Sequence, residues 1–185
     1  MTIFDLAVAS IEACEAEGID HMLTGAFATS CYGIPRSTKD IDLVLAIHSP
    51  RALQGVIGRL KPDVEFSEQV QFDTLTWGKR HIGQTCGHPY LKVELFELFD
   101  DPFVQEQFSR RVKLKVGPLR REAYVPTAED VIVQKLRWAR DKDLIDAADV
   151  LIVQGPESLD MDYVRKWCHT HGSEGRLADA LVKVS

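Results

Sequence analysis

The sequence predicts a mixed α/β (α+β) protein in which strands and helices intermingle first and helices alone follow. Three observations carry that expectation. From Lys39 to Ile47 every second residue is apolar and Asp40 and Asp42 stand between, as in a half-buried strand; Tyr90 to Phe96 repeats the spacing; and beyond Pro126 the apolar spacing becomes that of amphipathic helices. At 185 residues the chain is long enough for one well-buried core with a small helical addition. The expected division is a core over residues 1–126 and a C-terminal helical region over 127–185, packed on the core as a single compact unit.

Each element has its own signal. Ile3, Leu6, Ala7, Ile11 and Cys14 recur at helical spacing and stop at Gly18, which suits the left-handed turn that ends many helices. A short strand over His21 to Thr24 runs into Gly25, and a short helix carrying Ala28 and Tyr32 closes at Gly33. Ile34 to Thr38 is a loop because Pro35 pushes Ile34 out of helical conformation. The strand over Lys39 to Ile47 follows, with Ile41, Leu43, Leu45 and Ile47 on one face and Asp40 and Asp42 on the other. Ser49-Pro50 is an N-cap and first-turn pair for a helix reaching Leu60, stopped by Pro62. Residues 64–99 are strand-rich; Leu91, Val93 and Leu95 share one face there, Lys92 and Glu94 the other. A hairpin is expected from Arg111 to Val125, turning at Gly117-Pro118. Thr127 caps a helix with Ile132, Leu136 and Trp138-Ala139 on its apolar stripe. Three helices are expected to the end, with breaks near Arg140 to Lys142, at Gly155-Pro156 and near Gly172 to Gly175.

Composition narrows the functional classes. With 45% hydrophobic and 27% charged residues the chain is typical of folded globular proteins and unlike disordered ones. Its 22 basic and 28 acidic residues leave a net charge of -6, so no bulk positive field holds a nucleic-acid backbone, and such a partner needs a local basic patch. No run approaches the roughly 18 apolar residues of a membrane span, and no basic-then-apolar leader opens the chain. A cytoplasmic protein with no membrane partner is expected. The four cysteines are scattered and read as reduced thiols; Cys86-Gly-His88 and Cys168-His169-x-His171 lack the C-x-x-C spacing of zinc sites.

The chemistry is concentrated near residue 40. Residues i and i+2 of a strand project from the same face, so Asp40 and Asp42 offer two carboxylates to one hard cation or a close pair of them, which suits magnesium. Alone, such a pair also describes the solvated face of an edge strand. Here it is preceded by Leu23-Thr24-Gly25-Ala26-Phe27-Ala28, in which a glycine at a strand-to-helix turn lets the backbone approach a phosphate and the helix start offers anion donors. Gly33-x-x-Arg36-x-Thr38-x-Asp40-Ile41-Asp42-Leu43 continues the run.

In order and spacing these residues resemble the nucleotidyltransferases of the DNA polymerase β-like superfamily, in which a Gly-Ser, Gly-Gly or Gly-Ala turn precedes an Asp-x-Asp strand. The resemblance implies a nucleotidyltransferase fold: a mixed sheet flanked by helices, with a C-terminal helical region. It implies Mg2+ or Mn2+ held by Asp40, Asp42 and a third carboxylate, a nucleoside triphosphate as donor, and transfer of a nucleoside monophosphate to an acceptor. Val93-Glu94-Leu95-Phe96 fits the third-carboxylate pattern and makes Glu94 the candidate, with Glu97 the alternative on the opposite face. Thr24, Gly25 and Ala26 would line the phosphates; many relatives carry serine at the position of Ala26. Arg36 and Thr38 either contact nucleotide or acceptor, or serve the loop as a soluble cation and a turn hydrogen bond.

Glu129 to Leu136, followed by Arg140-Asp141-Lys142-Asp143-Leu144-x-Asp146, resembles the helical segment of AbiEii-like and other minimal bacterial nucleotidyltransferases. That implies a phosphate-binding role for Lys135, a supporting role for Asp146, and a toxin–antitoxin or phage-defence setting with a cognate antitoxin as partner. The acceptor is a protein, a transfer RNA or a small molecule. The contrasting expectation is an inactive binding module of the same fold, acting as toxin, antitoxin or regulatory partner. A metal-dependent nuclease ranks last, because it gives no reason for the Gly25 turn.

Overall fold

The computed structural model describes residues 1–184, with the side chains of residues 88–90 and 118 outside the description. The chain forms two units: residues 1–27 with 37–125, and residues 28–36 with 126–185. The helical unit therefore draws on residues 28–36 as well as on the C-terminal stretch.

The first unit opens with α1 (Ile3–Ala16), started by a capping box in which Thr2 and Asp5 exchange hydrogen bonds between side chain and backbone. It continues with β1 (Asp20–Leu23), the start of α2 (Gly25–Tyr32), β2 (Asp40–Ala46), α3 (Pro50–Leu60), β3 (Val64–Phe66), β4 (Gln71–Phe72), β5 (Lys79–Thr85) and β6 (His88–Glu97). α4 (Pro102–Ser109) and the hairpin strands β7 (Val112–Val116) and β8 (Arg121–Val125) complete it. The mixed sheet runs β1-β2-β6-β5-β3, with β4 added on β5; β2 and β6 are parallel and the other pairs antiparallel. One face buries Ile41, Leu43, Leu45, Val93 and Leu95 completely, and α1 packs against β1, β2 and β6.

The other face of β2 does not stay polar along its length. Val44 is buried with Met22 and Phe108, and Ala46, Phe96 and Leu98 pack around them. Phe108 comes from α4, a helix that the sequence reading leaves unassigned. Its start is nevertheless written in the chain: Asp101 accepts hydrogen bonds from the N–H groups of Phe103 and Val104, and Pro102 fills the first turn. α4 thus dries the far half of the face and leaves the half with Asp40 and Asp42 polar.

The second unit holds the end of α2 and four helices, α5 (Ala128–Trp138), α6 (Asp141–Gln154), α7 (Met161–Thr170) and α8 (Glu174–Val182), where three were expected. The breaks lie at the expected places; the last one makes α8 a separate helix. The Tyr32 hydroxyl donates to the Pro126 carbonyl at 2.8 Å and the Gln154 amide donates to the Tyr32 carbonyl at 2.7 Å, which ties the end of α2 into this unit. Buried Asp130 accepts from the hydroxyls of Tyr163 and Thr127, joining α7 to the start of α5. Among the described residues no helix is long and apolar enough to cross a membrane.

Candidate active site

The parallel register of β2 on β6 builds the carboxylate face. Asp40 lies beside Lys92 and Asp42 beside Glu94, so the three acids picked from the sequence project from one side of two adjacent strands. Glu97 projects from the opposite face, where its carboxylate meets His81 Nε2 at 2.8 Å. Glu94 is thus the acid set next to Asp42. Its Oε2 accepts a hydrogen bond from Arg80 Nη1 at 3.0 Å, with both side chains largely buried. Arg80, on β5, is absent from the sequence reading; Gln71 Oε1 lies 3.4 Å from its Nη2.

Gly25 closes over this face. Its φ is +62°, and a Cβ built on it would lie 1.9 Å from Asp42 Oδ2 and 2.8 Å from Asp42 Cγ, closer than real Cβ atoms approach anything. Only glycine lets the turn rest on that carboxylate. The Thr24 N–H donates to the Asp42 carbonyl at 2.8 Å and pins the turn to β2. Ala26 is buried and brings no hydroxyl; Thr29 is buried as well, and Thr24 is half-buried. The Thr38 hydroxyl binds the Asp40 backbone, at 3.2 Å to its carbonyl and 3.3 Å from its N–H, and so braces the first carboxylate.

An all-oxygen set suits a hard cation, and magnesium commonly takes only one or two protein carboxylates beside substrate phosphates. Asp40 and Asp42 on one face meet that need. Among the described residues no three His, Cys, Asp or Glu side chains are gathered at metal-holding distance, and Glu94 is turned to Arg80.

The helical unit holds the remaining candidates in a charged cluster of its own. Arg36 grips Asp146 with two hydrogen bonds, Nε to Oδ1 at 2.8 Å and Nη2 to Oδ2 at 2.9 Å. Lys135, almost fully buried, donates to Asp146 Oδ2 at 2.7 Å and to Asp143 Oδ1 at 3.1 Å. Asp143, which the sequence reading did not single out, also binds Arg140. Its position three residues before Asp146 on α6, hence on the same helix face, is the signal that would have found it. Burial pushes both carboxyls up, but Arg140 and Lys135 at Asp143, and Arg36 and Lys135 at Asp146, outweigh it and hold both below the ordinary carboxyl range. The Arg36 guanidinium is about one-third exposed, at 34%.

No protein-family model matches the sequence, and no curated protein matches it significantly. The fold does have relatives among solved structures. A solution structure of the antibiotic-resistance factor ANT(2'')-Ia superposes with a TM-score of 0.63 at 12% identity, covering 95% of this chain and 94% of that one. A crystal structure of ANT(2'')-Ia in complex with adenylyl-2''-tobramycin gives 0.63 at 11% identity, covering 94% and 99%. An antigenic nucleotidyltransferase-like protein from Paracoccidioides brasiliensis gives 0.58 at 18% identity, covering 98% and 92%. The chain has the nucleotidyltransferase fold.

Proposed function

We propose that this chain is a cytoplasmic, metal-dependent nucleotidyltransferase that moves a nucleoside monophosphate from a nucleoside triphosphate to a hydroxyl acceptor. The observation that carries the reading is the Gly25 backbone resting on the Asp42 carboxylate, with Asp40 and Glu94 on the same face. A solvated strand face has no use for a glycine turn packed on one of its acids, whereas a phosphate site needs backbone and metal ligand that close.

Asp40 and Asp42 would hold Mg2+ or Mn2+, with Glu94 as the third oxygen ligand. The ion, when bound, supplies positive charge to the triphosphate and to the attacking oxygen. Gly25 and Ala26 admit the phosphates to the start of α2, whose backbone dipole favours anions. Thr38 keeps Asp40 in place. The acceptor hydroxyl attacks the α-phosphorus, the bond to the β-phosphate oxygen breaks and pyrophosphate leaves; Glu94 is the base nearest Asp42 for the hydroxyl proton. By the resemblance, Arg36 and Lys135 would have phosphate-binding roles, with Asp146, to which both are hydrogen-bonded, in a supporting one.

ATP as donor, membership of the AbiEii-like group, and a toxin–antitoxin or phage-defence setting with a cognate antitoxin are the finer reading, resting on Lys135 and Asp146. A protein, a transfer RNA or a small molecule would be the acceptor; the complex of ANT(2'')-Ia with adenylyl-2''-tobramycin supports the small molecule. An inactive binding module is the second reading, favoured by buried Ala26 in place of a hydroxyl and by the Arg80–Glu94 pair.

Calorimetric titration of each nucleoside triphosphate with magnesium decides between them. Magnesium-dependent binding by the wild type that disappears in the Asp40→Ala/Asp42→Ala double variant supports the enzyme. A folded wild type that binds no triphosphate supports the module.

A further inference from the structure

We propose that Arg80 is a positioning residue that holds Glu94 in the metal-free protein and exchanges it for triphosphate oxygens when the metal takes Glu94; this rests on the nucleotidyltransferase reading above. β5 sets Arg80 opposite Phe96, which puts the guanidinium on the face that carries Glu94, Asp42 and Asp40. Asp42 and Glu94 are direct neighbours across two strands, and two carboxylates at that spacing repel unless a cation compensates. On this face Arg80 is the cation bonded to Glu94.

A divalent ion does the same work from the other side. Guanidinium and metal are both positive, so each weakens the other's hold on Glu94, and occupancy by one favours release of the other. Arg80 has somewhere else to go. Its buried Nε has no partner among the described residues, and its second bond, to Gln71, is long at 3.4 Å. A guanidinium with spare donors and a planar fork matches phosphate oxygens, which the metal would bring to this face. Arg80 would then suppress metal binding without nucleotide and favour binding of the two together.

The test follows Mn2+ uptake by electron paramagnetic resonance, first without nucleotide and then with a non-hydrolysable ATP analogue. Arg80→Gln should bind Mn2+ alone about tenfold more tightly than the wild type and the Mn2+–triphosphate about tenfold more weakly, the size of one charge-assisted hydrogen bond. The metal gain should shrink below about twofold when Glu94→Gln is the background. Arg80→Lys, which keeps the charge but loses the fork, should gain about threefold for Mn2+ and keeps the test open should Arg80→Gln not fold. A purely structural arginine predicts lowered thermal stability with metal affinity unchanged or reduced, and that result in the folded variants overturns the exchange. A wild type that binds metal and triphosphate while the Arg80 variants gain nothing overturns the exchange alone; a wild type that binds neither overturns the enzyme reading too.

Discussion

Replacing Gly25 by alanine separates two things that the turn supplies: a backbone conformation and room beside Asp42. The conformation, at a φ of +62°, costs an L-residue about 1–2 kcal/mol. The room is the larger matter. The new Cβ would meet Asp42 Oδ2 at 1.9 Å, and real Cβ atoms essentially never come within 3.0 Å of another heavy atom, so carboxylate or turn must give way. The displacement is about 1 Å, enough to cost on the order of a hundredfold in a reaction that depends on positioning. Gly18→Ala is the control, because Gly18 has a φ of +63° and nothing within 4 Å of the added carbon. In urea unfolding Gly18→Ala should lose the backbone contribution alone, and Gly25→Ala that contribution plus the cost of the clash. Only Gly25→Ala should lose magnesium-dependent triphosphate binding, by at least about tenfold in calorimetry. Equal triphosphate binding by the wild type and Gly25→Ala would refute the claim that the turn and Asp42 form one site.

The charged cluster of the helical unit and the apolar patch under α4 give three more tests. Lys135→Met leaves Asp143 and Asp146 buried with less compensation and should destabilise by about 3–5 kcal/mol, read from chemical denaturation. Because Asp143 and Asp146 have lowered folded-state pKa values, their stabilisation is complete above the ordinary carboxyl value of 3.8 and is lost as the pH falls through the lowered values. Thermal melts from pH 5 to pH 2 should therefore fall more steeply for the wild type than for Asp143→Asn, with the difference confined to about pH 4 and below. Phe108→Ala empties the cluster with Met22 and Val44 and should cost about 3–5 kcal/mol in urea unfolding, less if α4 can settle onto the gap.

What the chain discloses about itself depends on whether an element's own period is enough. β2 needs no partner to show that Asp40 and Asp42 share a face, and Ser49-Pro50 or Gly18 mark helix ends through local chemistry alone. The hairpin turn was legible at Gly117-Pro118, although the left-handed residue there is Arg120, at φ +53°, and not the glycine. α4 was legible too, in Asp101-Pro102 and the apolar Phe103, Val104 and Phe108, but a single eight-residue helix between two strand-rich stretches gives little period to read. Partners are another matter. Arg36 and Asp146 stand 110 positions apart, and nothing local to either announces the other.

Arg80 shows why even a correctly read strand can hide its role. Continuing the Thr85–His88 pairing regularly along β5 and β6 would place Arg80 opposite Val93, on the buried apolar face. The register instead shifts between Gln84 and Thr85, so that Gln84 pairs with Lys92 and Arg80 with Phe96. An odd shift exchanges the faces of every residue beyond it. That irregularity moves a guanidinium from the core side to the carboxylates, and it leaves no trace in the alternation of either strand. A carboxylate pair within one strand is therefore readable from sequence, whereas the cation that opposes it depends on an uninterrupted or interrupted ladder that only the fold decides.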